Sequence, residues 1–272
     1  MVKHLFILML VMPCWAQLDT LPPGLLSHRK SAASSGPSPT LAWYKYDEGG
    51  AATTTADATA NGNTGTLSGS TKPSWITGPN ANSALSFNGS TAFVDNGAGS
   101  ETIFNGASTL TFSFWANNAH PGAETILGEN PSGSTAGIII EFNSTTTPAY
   151  STTSGQLYFY YVDATGKYDS AYLSSTNAAM NDGTWHFYTI TYNNTTETVQ
   201  MYIDAVSQSV TYGHQYGPAT IGSLAADVYV GALDQQGTGY EYGYYGSLDD
   251  VRIYNTVVAS TDITTLYNAK AQ

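Results

Sequence analysis

The sequence predicts an all-β fold, a two-sheet antiparallel sandwich with a short C-terminal helix. Three observations predict it. Short β-branched and aromatic runs recur between residues 40 and 258, separated by Gly, Asn, Asp and Ser clusters, with almost no helical periodicity. About eleven such runs follow one another with turns every ten residues or so, the spacing of a sandwich. Nine Phe, twenty Tyr and five Trp supply the apolar surface for a core, although only 10% of the chain is charged.

In order, strands are expected at 41–46, 84–87, 91–94, 110–116, 125–127, 137–142, 156–162, 185–192, 198–204, 227–231 and 245–254. In TFSFWA, Phe112 and Phe114 alternate with Ser113 and Trp115, so one aromatic face enters the core; WHFYTITY alternates in the same way. Asn181-Asp182-Gly183 is a turn signal before that strand. Trp185 is expected in the core, and His186 on the opposite face in a structural role. The tail alone reads as helix: Ser260 can cap a turn from Thr261, and Ile263, Leu266 and Tyr267 share a face over Asp262–Asn268. Its expected task is to cover a sheet edge or the end of the sandwich.

The N-terminus reads as an export signal. Lys3 and His4 precede the apolar run LFILMLVM, and Ala16 closes a small-residue cleavage site, which assigns 1–16 to a signal peptide. A bilayer span needs ~20 apolar residues, so this run is too short to cross one. Cleavage removes Cys14, the only cysteine, so the mature chain has no internal disulfide. Residues 17–39 are Pro/Ser/Gly-rich without a period and read as a linker, leaving 40–272 as the domain. The formal net charge of −12 repels nucleic acid and anionic lipid, and no basic stripe reverses it.

The stretches YKYDEGG, ADATANGNTGTLSG, ALSFNGSTAFV, LTFSFWA, NDGTWHFYTITYNNTTETVQMYID and YGSLDDVRIYNTVVASTDITTLYN occur in this order between residues 44 and 268. Together they resemble the concanavalin A-like, laminin G-like jelly-roll domains of exported bacterial proteins. The resemblance implies a jelly-roll sandwich and an extracellular or cell-surface location. One departure is visible: the YID strand usually runs into a Gly turn, whereas here Ala205 follows Asp204. In that family the last-strand aspartate, matching Asp249, commonly binds a structural calcium with the early Asp/Asn/Gly loop. The expected ligands are therefore Asp57 and Asp249, assisted by Asn61 or Asn63, oxygen donors of the kind calcium takes. The alternative is that Asp57 and the asparagines cap turns and that Asp249 holds Arg252 or a backbone N–H.

A binding face is expected in GTGYEYGYYG, residues 237–246. Tyr240, Tyr242 and Tyr244 alternate there, Tyr245 follows, and glycines allow close approach of a ligand. A sugar ring stacks its C–H groups on such faces while phenols hydrogen-bond its hydroxyls. Tyr158, Tyr160, Tyr161, Tyr168 and Tyr172 form a second concentration. A glycosidase would need two carboxylates ~5–10 Å apart across the sugar. Glu141 stands alone, Glu124 and Glu129 flank an expected loop, and the adjacent Asp47 and Glu48 face opposite sides of a strand. No nucleophile elbow, phosphate loop or zinc cluster is present in the sequence. The expected function is thus a secreted, non-catalytic carbohydrate-binding or adhesion domain with a structural calcium, its partner a glycan or another cell-surface component. A self-associating surface protein and a polysaccharide-degrading enzyme of the same fold are the alternatives.

Overall fold

The computed structural model describes residues 36–270, apart from 98, 130–135, 144–154, 164, 218–223, 225–226 and 235–239. The signal peptide expected at 1–16 and most of the linker expected at 17–39 lie outside the described residues. The linker's last residues are pinned: the Tyr254 hydroxyl donates to the Pro37 carbonyl. Among the described residues no helix is long and apolar enough to cross a membrane.

Two antiparallel sheets face one another, as expected. The first runs in the order Val206–Gln208, Thr198–Ile203, Trp185–Asn193, Thr109–Asn118, Gly246–Tyr254, Ser83–Ser86 and Ser74–Thr77, with Ala42–Tyr44 also paired to Gly246–Tyr254. The second runs Val210–Gln215, Tyr168–Leu173, Leu157–Val162, Gly137–Phe142, Glu124–Glu129, Tyr229–Val230, Phe93–Asp95, Gly65–Ser68 and Thr54–Thr55. Consecutive hairpins are joined by long-range pairings: the last strand sits between strands that begin at 83 and at 109. Glu124 and Glu129 prove to be the two ends of one strand, not the flanks of a loop.

The alternation of aromatic residues builds the core. Phe112, Phe114, Tyr188, Ile190 and Tyr192 of the first sheet meet Ile138, Ile140, Phe142, Phe159 and Tyr161 of the second. Phe114 lies 6.2 Å from Phe142 and 5.6 Å from Tyr188, and Phe112 lies 6.4 Å from Phe159. The alternate residues Trp115 and Phe187 point outward, where the helix Ser260–Ala269 lays Ile263, Leu266 and Tyr267 over them. The helix therefore covers a sheet face, not an edge or an end. Trp185 packs beside this outer cluster and stays partly buried, outside the core proper. Ser260 is the first helical residue and does not cap: the N-cap is Ala259, without a side-chain bond.

The hairpin lacking its glycine keeps a left-handed turn, with φ of 51° at Asp204 and 62° at Ala205. Asp204 is held there by its side chain, which accepts the Phe187 N–H at 3.0 Å and contacts His186 Nδ1 at 2.6 Å. Ala205 has no such recompense, and an alanine in this region is strained. Ala205→Gly is therefore expected to stabilise the domain by about 0.5–1 kcal/mol in urea unfolding.

His186 is gripped from both sides, Nε2 lying 3.1 Å from Asp182 and Nδ1 2.6 Å from Asp204. Burial works against the imidazolium, but the two carboxylates win and raise the His186 pKa, while hydrogen bonds lower that of Asp182 against the effect of burial. The stabilisation from His186 is complete below the ordinary histidine value and is lost as pH rises through the raised one. That from Asp182 is present above the ordinary aspartate value and lost as pH falls. Replacing His186 by Asn should make the decline in melting temperature that the parent shows from pH 6 to pH 8 shallower.

Candidate functional site

Three chain segments meet at one end of the sandwich. The first is the turn after Ser83–Ser86, where the Asn88 carboxamide oxygen accepts the N–H groups of Ser90, Thr91 and Ala92 at 2.9–3.0 Å. The second is the loop after Thr109–Asn118, where the Asn118 side chain accepts the His120 N–H at 2.7 Å. The third is the tyrosine run 242–245. Its carbonyls and N–H groups fasten it to both sheets: Thr125 N–H donates to Tyr242, Tyr244 N–H to Gly231, and Gly89 N–H to the Tyr244 carbonyl, each at 2.8 Å. A β-carbon on Gly243 would stand 2.9 Å from backbone atoms of Gly89 and Ser90, so only glycine lets these two segments touch.

The expected tyrosine face does not form. Tyr242 adopts φ 49°, which breaks the two-residue alternation. Tyr244 turns inward and is fully buried, its hydroxyl donating to the Asn117 carbonyl at 3.0 Å and its ring against Phe87 and Phe142. Tyr242 and Tyr245 remain exposed, at 39% and 55%. Tyr240 lies in the short strand Tyr240–Glu241, and its side chain is outside what is described. The two exposed tyrosines line a cleft of about 640 Å³ with Asn88, Ser90, His120 and Glu124.

Glu124 is the chemical centre of the cleft. Its side chain is 1% exposed, with Oε2 accepting the Asn118 amide at 2.8 Å and Oε1 accepting the Tyr245 N–H at 3.1 Å. His120 Nδ1 stands 2.9 Å from Oε1 and itself accepts the Gly122 N–H at 3.2 Å. Burial pushes Glu124 up to about 8, outweighing the two hydrogen bonds that favour its anion. The Tyr245 ring leans on His120 at 5.6 Å, joining the aromatic wall to the polar floor. Asn88, Ser90, His120 and Glu124 were not singled out from sequence as a binding group; the one signal available was a glutamate opening the otherwise apolar strand ETIL.

The residues expected to hold calcium part company. Asp57 spends both oxygens locally: Oδ1 accepts from Trp43 N–H and from Thr59 N–H and hydroxyl, and Oδ2 from the N–H and amide of Asn63. The amides of Asn61 and Asn63 donate to the Leu41 carbonyl, each at 2.9 Å. This loop is a self-contained cap on the strand Ala42–Tyr44.

Asp249 sits instead with Asn82 and Asp47. It is fully buried; Oδ2 accepts the Asn82 amide at 3.2 Å, and the same amide reaches Asp47 at 3.1 Å. Asp249 Oδ1 and Asn82 Oδ1 are buried without a hydrogen-bond partner. A β-carbon on Gly78 would fall 2.9 Å from Asp249 Oδ2. Burial, then the adjacent Asp250, pushes Asp249 up to about 8. These orphaned oxygens are the donor chemistry of a hard cation. Among the described residues there is no metal-competent group of three or more His, Cys, Asp or Glu, so backbone or water oxygens would have to complete the shell.

Arg252 is held by Asp250, at 2.8 and 2.9 Å, and not by Asp249. The ladder shifts register between Asp249 and Arg252, so a bulge separates the roles of the two adjacent aspartates.

Residues 88–264 match the family model Laminin_G_3, described as the concanavalin A-like lectin/glucanases superfamily, and the chain belongs to this family. Among solved structures it is similar to domain 4 of AbnA, a GH43 extracellular arabinanase from Geobacillus stearothermophilus in complex with arabinotriose, with 17% identity and a TM-score of 0.58 over 85% of this chain and 98% of that one. It is also similar to the receptor-binding domain of botulinum neurotoxin C/D mosaic serotype, with 13% identity and a TM-score of 0.57 over 85% of this chain and 51% of that one. A botulinum neurotoxin type C structure, whose cell entry depends on two ganglioside molecules, matches at 13% identity and a TM-score of 0.52 over 84% of this chain and 51% of that one. The chain thus spans about half the length of the neurotoxin domains. These likenesses show the fold. No curated protein sequence matches the chain.

A carboxyl whose folded pKa lies above its ordinary value costs stability as pH rises from that ordinary value to the raised one. Glu124→Gln cannot ionise, so between pH 5 and pH 9 it should lose less stability than the parent, by an amount on the order of a few kcal/mol in urea unfolding.

Proposed function

We propose that this protein is a secreted, non-catalytic carbohydrate-binding domain, and that the glycan lies in the cleft between the turn 88–90, the loop 119–124 and the run 242–245. The observation that carries this reading is the pairing of two exposed tyrosine rings, Tyr242 and Tyr245, with the hydrogen-bonded floor of His120 and Glu124. Aromatic walls take the C–H face of a sugar, and polar groups at the floor fix its hydroxyls. The arabinotriose-bound arabinanase domain and the ganglioside-dependent neurotoxin share the fold and support the ligand class. The signal-like leader and the acidic, cysteine-poor composition support an extracellular setting. Screening on a glycan array followed by calorimetry tests the reading. Tyr245→Ala should weaken binding of any hit at least tenfold, whereas Tyr244→Phe, which keeps the buried ring, should leave affinity within about twofold. Equal binding by Tyr245→Ala and the parent, or turnover of the bound polysaccharide, would overturn it.

Calcium belongs to the same proposal, held by Asp249, Asp47 and Asn82 and not by the capped loop at Asp57. The ion would take the ionised carboxylate, so its binding releases a proton and its apparent affinity rises with pH up to about 8. Added Ca²⁺ should raise the melting temperature of the parent and of Asp57→Asn, although the latter starts lower. It should leave Asp249→Asn unmoved. A Ca²⁺ response surviving in Asp249→Asn would refute the assignment.

A further inference from the structure

The second tyrosine concentration plays no part in the cleft. Along Leu157–Val162 the side chains alternate, Phe159 and Tyr161 facing the core while Tyr158 and Tyr160 face out. The neighbouring strands Tyr168–Leu173 and Val210–Gln215 bring Tyr168 and His214 to the same outer face, with Ser170 opposite both Tyr160 and His214. Tyr216 follows just beyond the last strand. The rings touch in sequence: Tyr160 to Tyr168 at 5.4 Å, Tyr168 to His214 at 4.6 Å, and His214 to Tyr216 at 4.9 Å with only 23° between planes. Tyr160, Tyr168 and His214 are half-buried, and Tyr216 is 54% exposed.

We propose that the ridge Tyr160–Tyr168–His214–Tyr216 is a second stacking platform for a neutral glycan, so that one domain can hold two chains or two stretches of one chain. The ligand class rests on the proposed function. The backbone of the ridge is fixed in advance, the Tyr216 N–H donating to the buried Asp169 at 2.9 Å, and the Tyr216 ring rests against Tyr168 and His214 at 5.2 and 4.9 Å. Two nearby carboxylates are turned to their own chain, Asp169 also accepting the Tyr192 hydroxyl and Asp163 the Thr165 hydroxyl and the N–H groups of Thr165 and Lys167, while that of Glu197 stands beside Gly217 at the ridge's end. The surface offered is ring faces, phenols and an imidazole, and the net charge of −12 disfavours an anionic polymer.

The ridge and the cleft are separate sites. Tyr168 pairs with Val162 at one end of the sheet, whereas Leu157, Phe142 and Glu124 are aligned at the other. Five residues of strand place them about 17 Å apart along the sheet.

The test uses arabinan, xylan and β-glucan as probes, in affinity gel electrophoresis and in cross-linking of polysaccharide-coated beads, with Tyr216→Ala, Tyr245→Ala, the double variant and Tyr216→Trp, all checked for an unchanged melting temperature. Each single alanine variant should still bind but lose bead cross-linking and about 100-fold in avidity, and the double variant should not bind. Tyr216→Trp should keep cross-linking. If Tyr216→Ala cross-links like the parent, the ridge is only packing and the proposal falls while the cleft stands. If Tyr216→Ala alone abolishes binding and Tyr245→Ala changes nothing, the ridge stands and the cleft reading falls. If the parent binds none of the probes, both fall.

Discussion

The packing of aromatic rings between the two sheets is the interaction on which the rest of this molecule depends. With its single cysteine in the expected leader, the domain is held by burial and hydrogen bonding. Each buried Phe or Tyr contributes ~1.5–3 kcal/mol relative to exposure, and here they interlock: Phe142 alone touches Phe114, Tyr188 and Tyr244. Tyr244 belongs to this core and also to the run that walls the cleft. The site is thus an extension of the core, and its geometry is only as firm as the ring contacts beneath it.

A second constraint sits at the last strand. The bulge after Asp249 lets two neighbouring acids do different work within one buried region. Asp250 neutralises Arg252 and accepts the Trp43 indole N–H at 2.6 Å, while Arg252 and Lys45 flank the Trp43 ring at 4.6 and 4.3 Å. That network welds the first strand to the last. Asp249, one residue earlier, is more weakly met, by the Asn82 amide and the Asp250 N–H, an expensive condition in a buried site unless a cation or a proton answers it.

Long strands that alternate large aromatic and small residues were legible in the sequence, because one side of each must be buried. Hence 110–116 and 185–192 sit where periodicity put them, extended by a residue or two to Thr109–Asn118 and Trp185–Asn193. The strands Thr54–Thr55, Gly65–Ser68, Ser74–Thr77, Tyr168–Leu173, Val206–Gln208 and Val210–Gln215 were not, since most are short or polar and carry little apolar alternation. The placement of the tyrosines was hidden for a related reason. Alternation assigned Tyr240, Tyr242 and Tyr244 to one face, but a single left-handed residue, Tyr242, resets the parity and sends Tyr244 inward. The oxygen-rich loop at Asp57 also carries its own donors, and Thr59 and Asn63 hydrogen-bond the Asp57 carboxylate.

The placement of Glu124 links core to recognition. A carboxyl at the floor of a cleft can be kept there only if its lone pairs are met, and the partners come from two parts of the chain: Asn118 and His120 from the strand end and loop just before Glu124, and the Tyr245 N–H from the approach to the last strand. The contact from Tyr245, 121 residues away in sequence, forms only once the sheets have paired. The cleft is therefore assembled by the completed sandwich, with Gly243 permitting the closest approach and Tyr244 anchoring it from below. A substitution that loosens the anchor would be felt first in the position of Tyr245, whose backbone holds the acid and whose ring forms the wall.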